Sequence, residues 1–184
     1  MAHLIHPWPP LYDARSRVLI LGSFPSPRSR EMGFYYGHPQ NLFWATIARV
    51  LGVDEPPRDV RLREEFLLRH RIALWDVLHA CTIEGASDAS ITDVVPNRFA
   101  PILARSAICA IFTTGKTATE LFNRLCAEEA GMTANYLPST SPANRALQAK
   151  PAFLQQWAQV AAALSDYSSA KAASMRSRTA SRSC

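Results

Sequence analysis

Short apolar runs that alternate with amphipathic helical segments constrain this 184-residue chain more than any other feature. The runs over residues 18–21, 72–78 and 107–114 are typical of buried strands, because they are short, apolar and bounded by glycine or polar residues. A briefer strand is predicted within 134–137. Strands that alternate with helices predict a mainly parallel sheet with both faces covered.

Helical segments separate or follow these strands. In the segment over 39–52, Pro39 suits the first helical turn and Gly52 is a natural stop, with apolar residues at helical spacing between them. The sequence therefore predicts a single-domain α/β protein, a three-layer α/β/α sandwich around a mainly parallel four-stranded sheet. The other helices are predicted over 59–70, 100–105, 116–130 and 151–164.

The positive charge is concentrated near the carboxyl terminus. Of the net charge of +5, residues 166–184 hold +3, because four basic residues there outnumber Asp166. This segment has almost no large apolar side chains, so we expect a folded domain over 1–165 and a flexible basic tail over 166–184. The apolar share of 48% is enough for a core, and no run approaches the roughly 20 residues of a membrane-spanning helix.

Cysteine and histidine spacing argues against metal chemistry. The cysteines are Cys81, Cys109, Cys126 and Cys184, and no two lie close enough in sequence for an iron–sulfur cluster or a structural zinc site. The histidines show no metal-binding spacing either. The amino terminus carries no evident secretion signal. We therefore expect a cytoplasmic monomer that binds no metal, no iron–sulfur cluster and no membrane.

The segment Gly115-Lys116-Thr117 follows a predicted strand and invites comparison with a phosphate-binding loop. Such a loop needs a glycine at position 110, where this chain has Ala110. A glycine turn that leads into a helix is the simpler interpretation. A small nucleotide-binding enzyme is the weakest of the functional alternatives.

Three segments carry the strongest functional signal. They are Gly22-Ser23-Phe24-Pro25-Ser26 after the first strand, His38-Pro39-Gln40-Asn41-Leu42-Phe43-Trp44 at the predicted helix start, and LPSTSPAN over 137–144. Together they resemble the uracil-DNA glycosylase superfamily, and they are most similar to its DNA-deoxyinosine (hypoxanthine-DNA) glycosylase branch. The resemblance covers about residues 10–164 and implies the fold of that superfamily.

The first segment departs from the pattern of many superfamily members, which carry a water-activating Asn or Asp there. This chain has Phe24, whose ring can stack on a base but cannot hold a water. The deoxyinosine branch similarly lacks that polar residue, and the resemblance implies that Asn41 takes its role. A neutral amide cannot act as a base, but it orients and polarises a water. Without the resemblance, Asn41 would be interpreted as an ordinary helix-start residue.

The resemblance implies a monofunctional DNA glycosylase of base-excision repair, which hydrolyses the N-glycosidic bond of a flipped deaminated base, first of all hypoxanthine, and leaves an abasic site. Its partner would be DNA that contains deaminated bases, and no metal or organic cofactor is implied. Lys116 is the only lysine near a presumed pocket loop, which argues against strand cleavage by an amine. Two alternatives stay open: a uracil or mismatch-specific member, and a relative that only binds nucleic acid.

The expected site residues come from the three segments and their surroundings. Asn41 would be the catalytic residue, and Asp76 and Asp88 are expected to be structural caps that hold the pocket loops. The expected base pocket comprises Gly22, Ser23, Phe24, Tyr36, His38, Phe43 and Asn144. The residues expected to bind the DNA strand are Pro25, Ser26, Ser139, Ser141, Pro142, Ala143 and Arg145.

Overall fold

The computed structural model describes residues 2–180, with side chains as far as Ser165. The strands in this range are β1 (Ala2–Ile5), β2 (Val18–Gly22), β3 (Ile72–Asp76), β4 (Leu78–Ile83), β5 (Thr92–Pro96), β6 (Ala110–Thr114) and β7 (Asn135–Leu137). The helices are α1 (Pro27–Met32), α2 (Phe43–Val50), α3 (Val60–Arg69), α4 (Ala100–Ala104), α5 (Lys116–Leu125), α6 (Ala127–Ala130), α7 (Arg145–Gln148) and α8 (Pro151–Ala180).

A parallel sheet with the strand order β3-β2-β6-β7 forms the middle layer and confirms the predicted four-stranded arrangement. The strand β2 is buried on both faces, because Val18 and Ile20 pack into one core and Leu19 and Leu21 into the other. Helices α2, α3 and α8 cover the first face, and α4 and α5 cover the second together with a smaller sheet. The predicted three-layer α/β/α sandwich is therefore confirmed.

The parallel register brings the ends of these strands to one edge of the sheet. Gly22 at the end of β2 pairs with Asp76 at the end of β3. Thr114 at the end of β6 pairs with Leu137 at the end of β7. The loops that follow these residues converge at this edge, which is where open parallel sheets place their ligand sites.

The smaller sheet is antiparallel, ordered β1-β4-β5, and the sequence pattern does not predict it. The predicted single strand over 72–78 is wrong, because β3 ends at Asp76 and the chain turns at Val77 into β4. The Val77 N–H donates to the Gly22 carbonyl at 2.9 Å, and the Asn97 amide donates to the Asp76 carbonyl at 2.9 Å, which fixes this turn. Strands β1 and β5 are largely exposed and therefore lack the apolar signal of a buried strand.

The first long helix begins later than predicted. Helix α2 starts at Phe43 rather than at Pro39. The Asn41 side-chain oxygen accepts a hydrogen bond from the Phe43 N–H at 2.9 Å, so the residues before Phe43 form a separate turn. This turn, and not the first turn of the helix, carries Asn41.

Two further helix bounds differ from the prediction. The predicted helix over 116–130 is divided at Cys126 into α5 and α6. Helix α8 passes the predicted end at residue 164 and continues to Ala180. Much of the segment predicted as a tail is thus helical in its backbone, and residues 181–184 lie outside the described residues.

Candidate active site

A pocket of about 510 Å³ opens at the carboxyl edge of the parallel sheet. Its volume lies in the range of roughly 300–1,000 Å³ that is typical of small-ligand sites. Asn41 lines it, together with every predicted base-pocket residue except Phe43 and every predicted DNA-binding residue except Arg145. The lining also includes Asp76 and Asp88, which the sequence suggested as structural caps.

The loop after β2 forms one wall of this pocket. Phe24 is 8% exposed and its ring lies 5.9 Å from the guanidinium of Arg30. The same guanidinium donates to the Pro25 carbonyl at 2.7 Å. At the end of the loop, Ser26 caps α1, because its hydroxyl accepts the Ser29 N–H at 3.2 Å. These contacts hold the Phe24 ring at the pocket wall.

Tyr36 forms a second wall and Phe43 supports it from below. The two rings are stacked, with centroids 3.9 Å apart and planes inclined by 7°. Phe43 is fully buried and does not line the pocket, so its expected place in the base pocket is wrong; its ring instead supports Tyr36, which does line the pocket. Tyr36 has a φ of +50°, a backbone conformation that is uncommon for residues other than glycine.

The hydroxyl of Tyr36 is anchored at the end of β6. Thr114 donates its hydroxyl proton to the Leu21 carbonyl at 3.3 Å, so the Tyr36 hydroxyl is the donor across the 3.0 Å to Thr114 Oγ1. Burial raises the pKa of Tyr36, and the charge of Asp76 adds to the increase. Tyr36 is therefore a neutral phenol over the physiological pH range.

The turn over 38–42 presents Asn41 and His38 to the pocket. The Asn41 oxygen accepts from the Phe43 N–H and keeps one lone pair, while its amide N–H groups can donate into the pocket. His38 Nδ1 accepts the Gln40 N–H at 3.1 Å, so a neutral His38 carries its proton on Nε2. The turn thus offers an amide and an imidazole N–H side by side.

Asp76 and His6 form a buried pair at the floor of the pocket. The distance from His6 Nε2 to Asp76 Oδ2 is 2.8 Å, and the two side chains are 1% and 6% exposed. The residue that lines the pocket is Asp76, and His6 lies behind it. Sequence reasoning missed His6, since its partner is 70 positions away and no spacing rule connects them.

Asp88 is a second carboxylate at the pocket, on the turn Asp88–Ser90. The Ser23 hydroxyl donates to Asp88 Oδ1 at 2.8 Å. Burial raises the pKa of the Asp88 carboxyl and the charge of Asp76 raises it further, while the hydrogen bond from Ser23 acts in the opposite direction. The pocket therefore contains two carboxyl groups in different surroundings.

The loop after β7 closes the pocket with a run of short hydrogen-bonded turns. Ser139 Oγ accepts the Ser141 N–H at 3.2 Å, and Ser141 Oγ accepts the Ala143 N–H at 3.4 Å. The Gln148 side chain donates to the carbonyls of Ser139 and Ser141 at 3.2 and 2.7 Å. Arg145 begins α7 just beyond this loop and is exposed outside the pocket.

Other features of the described residues lie apart from this pocket. A second depression of about 550 Å³ is open and lies at the opposite edge of the sheet, where Cys109 and Asn135 line it. Among the side chains described, those of residues 2–165, no group of three or more His, Cys, Asp and Glu is arranged to hold a metal ion. No described helix is long and apolar enough to span a membrane.

The fold and the pocket together define a class: α/β proteins with a covered parallel sheet and a ligand pocket, rich in Ser, Pro and Asn, at the carboxyl ends of its strands. Residues 9–162 match the family model of the Uracil DNA glycosylase superfamily. The chain belongs to this superfamily, and the resemblance predicted from three short segments is confirmed.

Two relatives show which members of the superfamily the chain resembles. The chain is 33% identical over 139 residues to a protein of Methanosarcina acetivorans named hypoxanthine DNA glycosylase, a match that covers 75% of this chain and 87% of the relative. It is also 40% identical over 92 residues to a protein of the same name from Methanosarcina barkeri. That match covers 50% of this chain and 58% of the relative.

A solved structure resembles the whole fold. It is the solution NMR structure of a Methanosarcina acetivorans protein whose name gives it as a candidate uracil DNA glycosylase. The superposition has a TM-score of 0.74 at 30% identity and covers 87% of this chain and 98% of the other. The comparison agrees with the superfamily assignment and with the single-domain α/β fold.

Proposed function

We propose that the protein is a monofunctional DNA glycosylase that removes hypoxanthine from deoxyinosine in DNA and leaves an abasic site. One observation carries the proposal: Asn41, Phe24 and Asn144 come from three distant segments and line one pocket. The two relatives named hypoxanthine DNA glycosylase support hypoxanthine as the base. An enzyme pocket cannot reach a base inside a duplex, so the nucleotide must first leave the stack.

Hydrolysis in this pocket needs a water beside C1′ of the flipped nucleotide. The water oxygen forms a bond to C1′, and the bond from C1′ to N9 breaks with its electron pair leaving on the purine. The water loses a proton to solvent, and the departing base takes one up. Asn41 would orient and polarise this water, because an amide accepts and donates hydrogen bonds but does not act as a base at ordinary pH.

Charge develops in two places during this reaction. The sugar gains positive charge, as in other glycosyl transfers, and the neighbouring DNA phosphates favour it. The leaving purine gains negative charge, which hydrogen-bond donors stabilise. His38 Nε2–H and backbone N–H groups of the pocket loops would be the donors.

The loops around the pocket would bind the DNA strand. Ser and Pro residues of the first and last loops line the mouth and offer hydroxyl and backbone donors to phosphates, and Arg145 adds a positive charge nearby. The stacked ring of Tyr36 and the wall formed by Phe24 are flat apolar surfaces suited to a purine. Residues 1–165 would be sufficient for activity, because Asn144 is the last of the described residues that lines the pocket. Shortening the chain after Ser165 tests this.

The enzyme would act in the cytoplasm as a monomer and without a metal or organic cofactor. The buried free thiols of Cys81 and Cys126 suit a reducing compartment. The reaction needs only water and groups that the pocket already provides.

Duplexes with a single deoxyinosine, deoxyuridine or deoxyxanthosine test the proposal, with alkali used to cut at abasic sites. We expect the base to be released fastest from the deoxyinosine duplex. Preferential release from deoxyuridine would move the protein to a uracil-specific branch. Tight, salt-sensitive binding with no base released from any duplex would favour the alternative that this protein binds nucleic acid without catalysis. The apolar Phe24 is the observation that supports this alternative.

A further inference from the structure

Asp88 brings a carboxyl group to the pocket with one oxygen held and the other available. The Ser23 hydroxyl donates to Oδ1 at 2.8 Å. Among residues 2–165, Oδ2 accepts no hydrogen bond and Asp88 takes part in no ion pair. Because Asp88 lines the pocket, its second oxygen can interact with a bound base.

A hydrogen-bonded turn fixes the position of this carboxyl. Asp88 begins a short turn that ends at Ser90. The Ser90 hydroxyl donates to the Ser87 carbonyl at 2.7 Å and accepts the Glu84 N–H at 2.9 Å. On the other side, Ser23 follows β2 directly and is only 6% exposed. The Asp88 carboxyl is therefore held between the turn and the edge of the parallel sheet.

The surroundings of Asp88 favour its protonated form. Its one hydrogen-bond partner in the described part of the chain is a neutral hydroxyl. Burial raises the pKa of Asp88, the charge of Asp76 raises it further, and the bond from Ser23 acts in the opposite direction. The other ionisable groups around the carboxyl and in the pocket are Tyr36, Cys81, Arg30 and His38.

None of these four groups supplies Asp88 with a charged partner. The pKa values of Tyr36 and Cys81 are raised, so both are neutral at physiological pH. The Arg30 guanidinium donates to the Pro25 carbonyl. His38 accepts a backbone N–H through Nδ1 and is not bonded to Asp88.

The two carboxyl groups of the pocket are suited to different states. Asp76 is 4% exposed, and its Oδ2 is held by His6, a group that can carry a positive charge. Asp88 is exposed on its turn, so that solvent can return a proton to it. A group that gives up a proton in every reaction cycle needs such access. Asp88, and not Asp76, therefore has the surroundings of a proton donor.

We infer that Asp88 is a general acid that protonates N7 of the leaving hypoxanthine from Oδ2, and that Ser23 is the positioning residue that holds Oδ1; the inference rests on the proposed function. The proton moves from Oδ2 to the N7 lone pair while the bond from C1′ to N9 breaks and leaves its electron pair on the base. The base departs as neutral hypoxanthine. The water that adds to C1′ loses its proton to solvent, and the Asp88 carboxylate takes one back from solvent.

N7 is the ring atom that suits this step. N1 of hypoxanthine already carries a hydrogen, whereas N7 has a lone pair in the plane of the ring. A proton on N7 neutralises the charge that collects in the five-membered ring as the bond to N9 breaks. Uracil has no such ring, so the same acid cannot assist its departure in this way. Asp88 thus adapts the pocket to a purine as the leaving group.

The protonation state of Asp88 decides whether it helps or hinders the reaction. As a carboxylate, it would place a negative charge beside a base that is gaining negative charge. As an acid, it removes that charge. Ser23 can donate to Oδ1 in both states, because a protonated carboxyl with its proton on Oδ2 still accepts through Oδ1. Base release should therefore slow as the pH rises through the pKa of Asp88.

The test measures single-turnover base release from a deoxyinosine duplex over a range of about pH 5 to 8. For the wild-type protein we expect the rate to fall with pH and to approach a loss of about tenfold per pH unit above the pKa of Asp88. A wild-type rate that does not fall over this range would overturn the inference.

Asp88→Asn keeps an acceptor for the Ser23 hydroxyl but has no proton to transfer. At the acidic end of the range we expect its rate to be at least about a hundredfold below that of the wild type, with no fall as the pH rises. Asp93→Asn, at an exposed position outside the pocket, is the matched control and should keep the wild-type profile. A fall that persists in Asp88→Asn comes from another group and would overturn the role of Asp88.

Ser23→Ala keeps the acid and removes its partner. The pKa of Asp88 should then rise, so the fall in rate should begin at a higher pH than in the wild type. A purely structural role of Asp88 would not move this pH. Ser26→Ala removes a hydroxyl from the same loop that is bonded to Ser29 instead, and should not move it either. An unmoved fall in Ser23→Ala would overturn the inference even if Asp88→Asn does not fold.

The site of protonation is tested with 7-deaza-2′-deoxyinosine, in which a C–H group replaces N7. This base cannot accept the proton, so at the acidic end of the range its release by the wild-type protein should be at least about a hundredfold slower than that of hypoxanthine. Equal rates for the two bases would overturn N7 as the proton acceptor.

The outcomes separate this inference from the proposed function. A wild-type protein that releases no base from deoxyinosine at any pH overturns the proposed function. A wild-type protein that releases hypoxanthine with a profile that Asp88→Asn shares overturns the role of Asp88 and leaves the proposed function in place.

Discussion

The ring of Tyr36 lies parallel to that of Phe43, with the two centroids 3.9 Å apart. Tyr36 faces the pocket and Phe43 is fully buried in α2, so a core residue sets the position of a pocket wall. This stacking links the packing of the helix directly to the site, and any change at Phe43 should affect both stability and base release.

The substitution Phe43→Ala should therefore lower the free energy of unfolding by about 3–5 kcal/mol, because it leaves a cavity under Tyr36. Base release from deoxyinosine should also slow in the fraction that remains folded. Urea unfolding measures the first effect and single-turnover assays the second. Leu42→Ala, at the adjacent exposed position, should cost much less. Equal costs for the two variants would contradict the supporting role of Phe43.

The parallel sheet could be predicted because its strands are apolar on both faces. Val18–Gly22 is buried throughout, and a short apolar run that ends at a glycine is typical of a central strand. Strand β1 is exposed along most of its length and gives no such signal. The start of α2 was predicted too early, since Pro39 suits a helix and nothing in the local pattern reveals the Asn41 turn.

The pocket was only partly accessible to sequence reasoning. Residues in the three loop segments could be grouped because each follows a strand end or a turn near one, and parallel strands share their carboxyl edge. The pairing of His6 with Asp76 could not be predicted, because it joins two sheets across 70 positions and depends on the turn at Val77. The full burial of Phe43 beneath Tyr36 could not be predicted either, because it depends on the packing of α2 against the rest of the fold and not on residue spacing.

We expect Asn41 to have two separable roles, one in folding and one in the proposed reaction. Asn41→Ala removes the acceptor of the Phe43 N–H, which should cost about 0.5–2 kcal/mol of stability, as for other helix-start acceptors. It should also slow base release by about a hundredfold or more, with DNA binding largely retained. Asn41→Asp keeps the acceptor and should recover stability. Single-turnover rates, DNA binding and urea unfolding measure the three effects.

The neighbouring exposed residue provides the control for Asn41. Gln40→Ala should leave base release within about twofold of the wild-type rate, because its side chain does not line the pocket. Full activity of Asn41→Ala on deoxyinosine would remove Asn41 from the reaction.

Asp88 should make stability depend on pH. Burial raises its pKa in the folded protein above the ordinary value of 3.8, so its contribution is fully present below that pH and is lost as pH rises through the raised pKa. Asp88→Asn cannot ionise and escapes this loss. Its unfolding free energy relative to wild type should therefore increase with pH above about 4 and then level off. Urea unfolding at a series of pH values measures the difference.

The Ser23 hydroxyl provides a second test of the Asp88 carboxyl, because its hydrogen bond acts on the pKa in the direction opposite to burial. Its hydrogen bond lowers the pKa of Asp88, so Ser23→Ala should raise that pKa further and extend the loss of stability to higher pH. A difference between Asp88→Asn and wild type that does not change with pH would show that the surroundings of Asp88 do not raise its pKa.

Gly22 leaves room for Oδ1 of Asp76, and Gly22→Ala tests this directly. The new β-carbon would collide with Oδ1 and would lie 3.4 Å from the Tyr36 hydroxyl, while His6 prevents the carboxylate from retreating. We expect a loss of about 1–3 kcal/mol in unfolding free energy, as for overpacking of a core, together with slower release from deoxyinosine. In an Asp76→Ala background the colliding oxygen is gone, so the same substitution at Gly22 should cost much less. This double-mutant cycle, measured by urea unfolding, isolates the contact between the two residues, and additive costs would place the strain elsewhere.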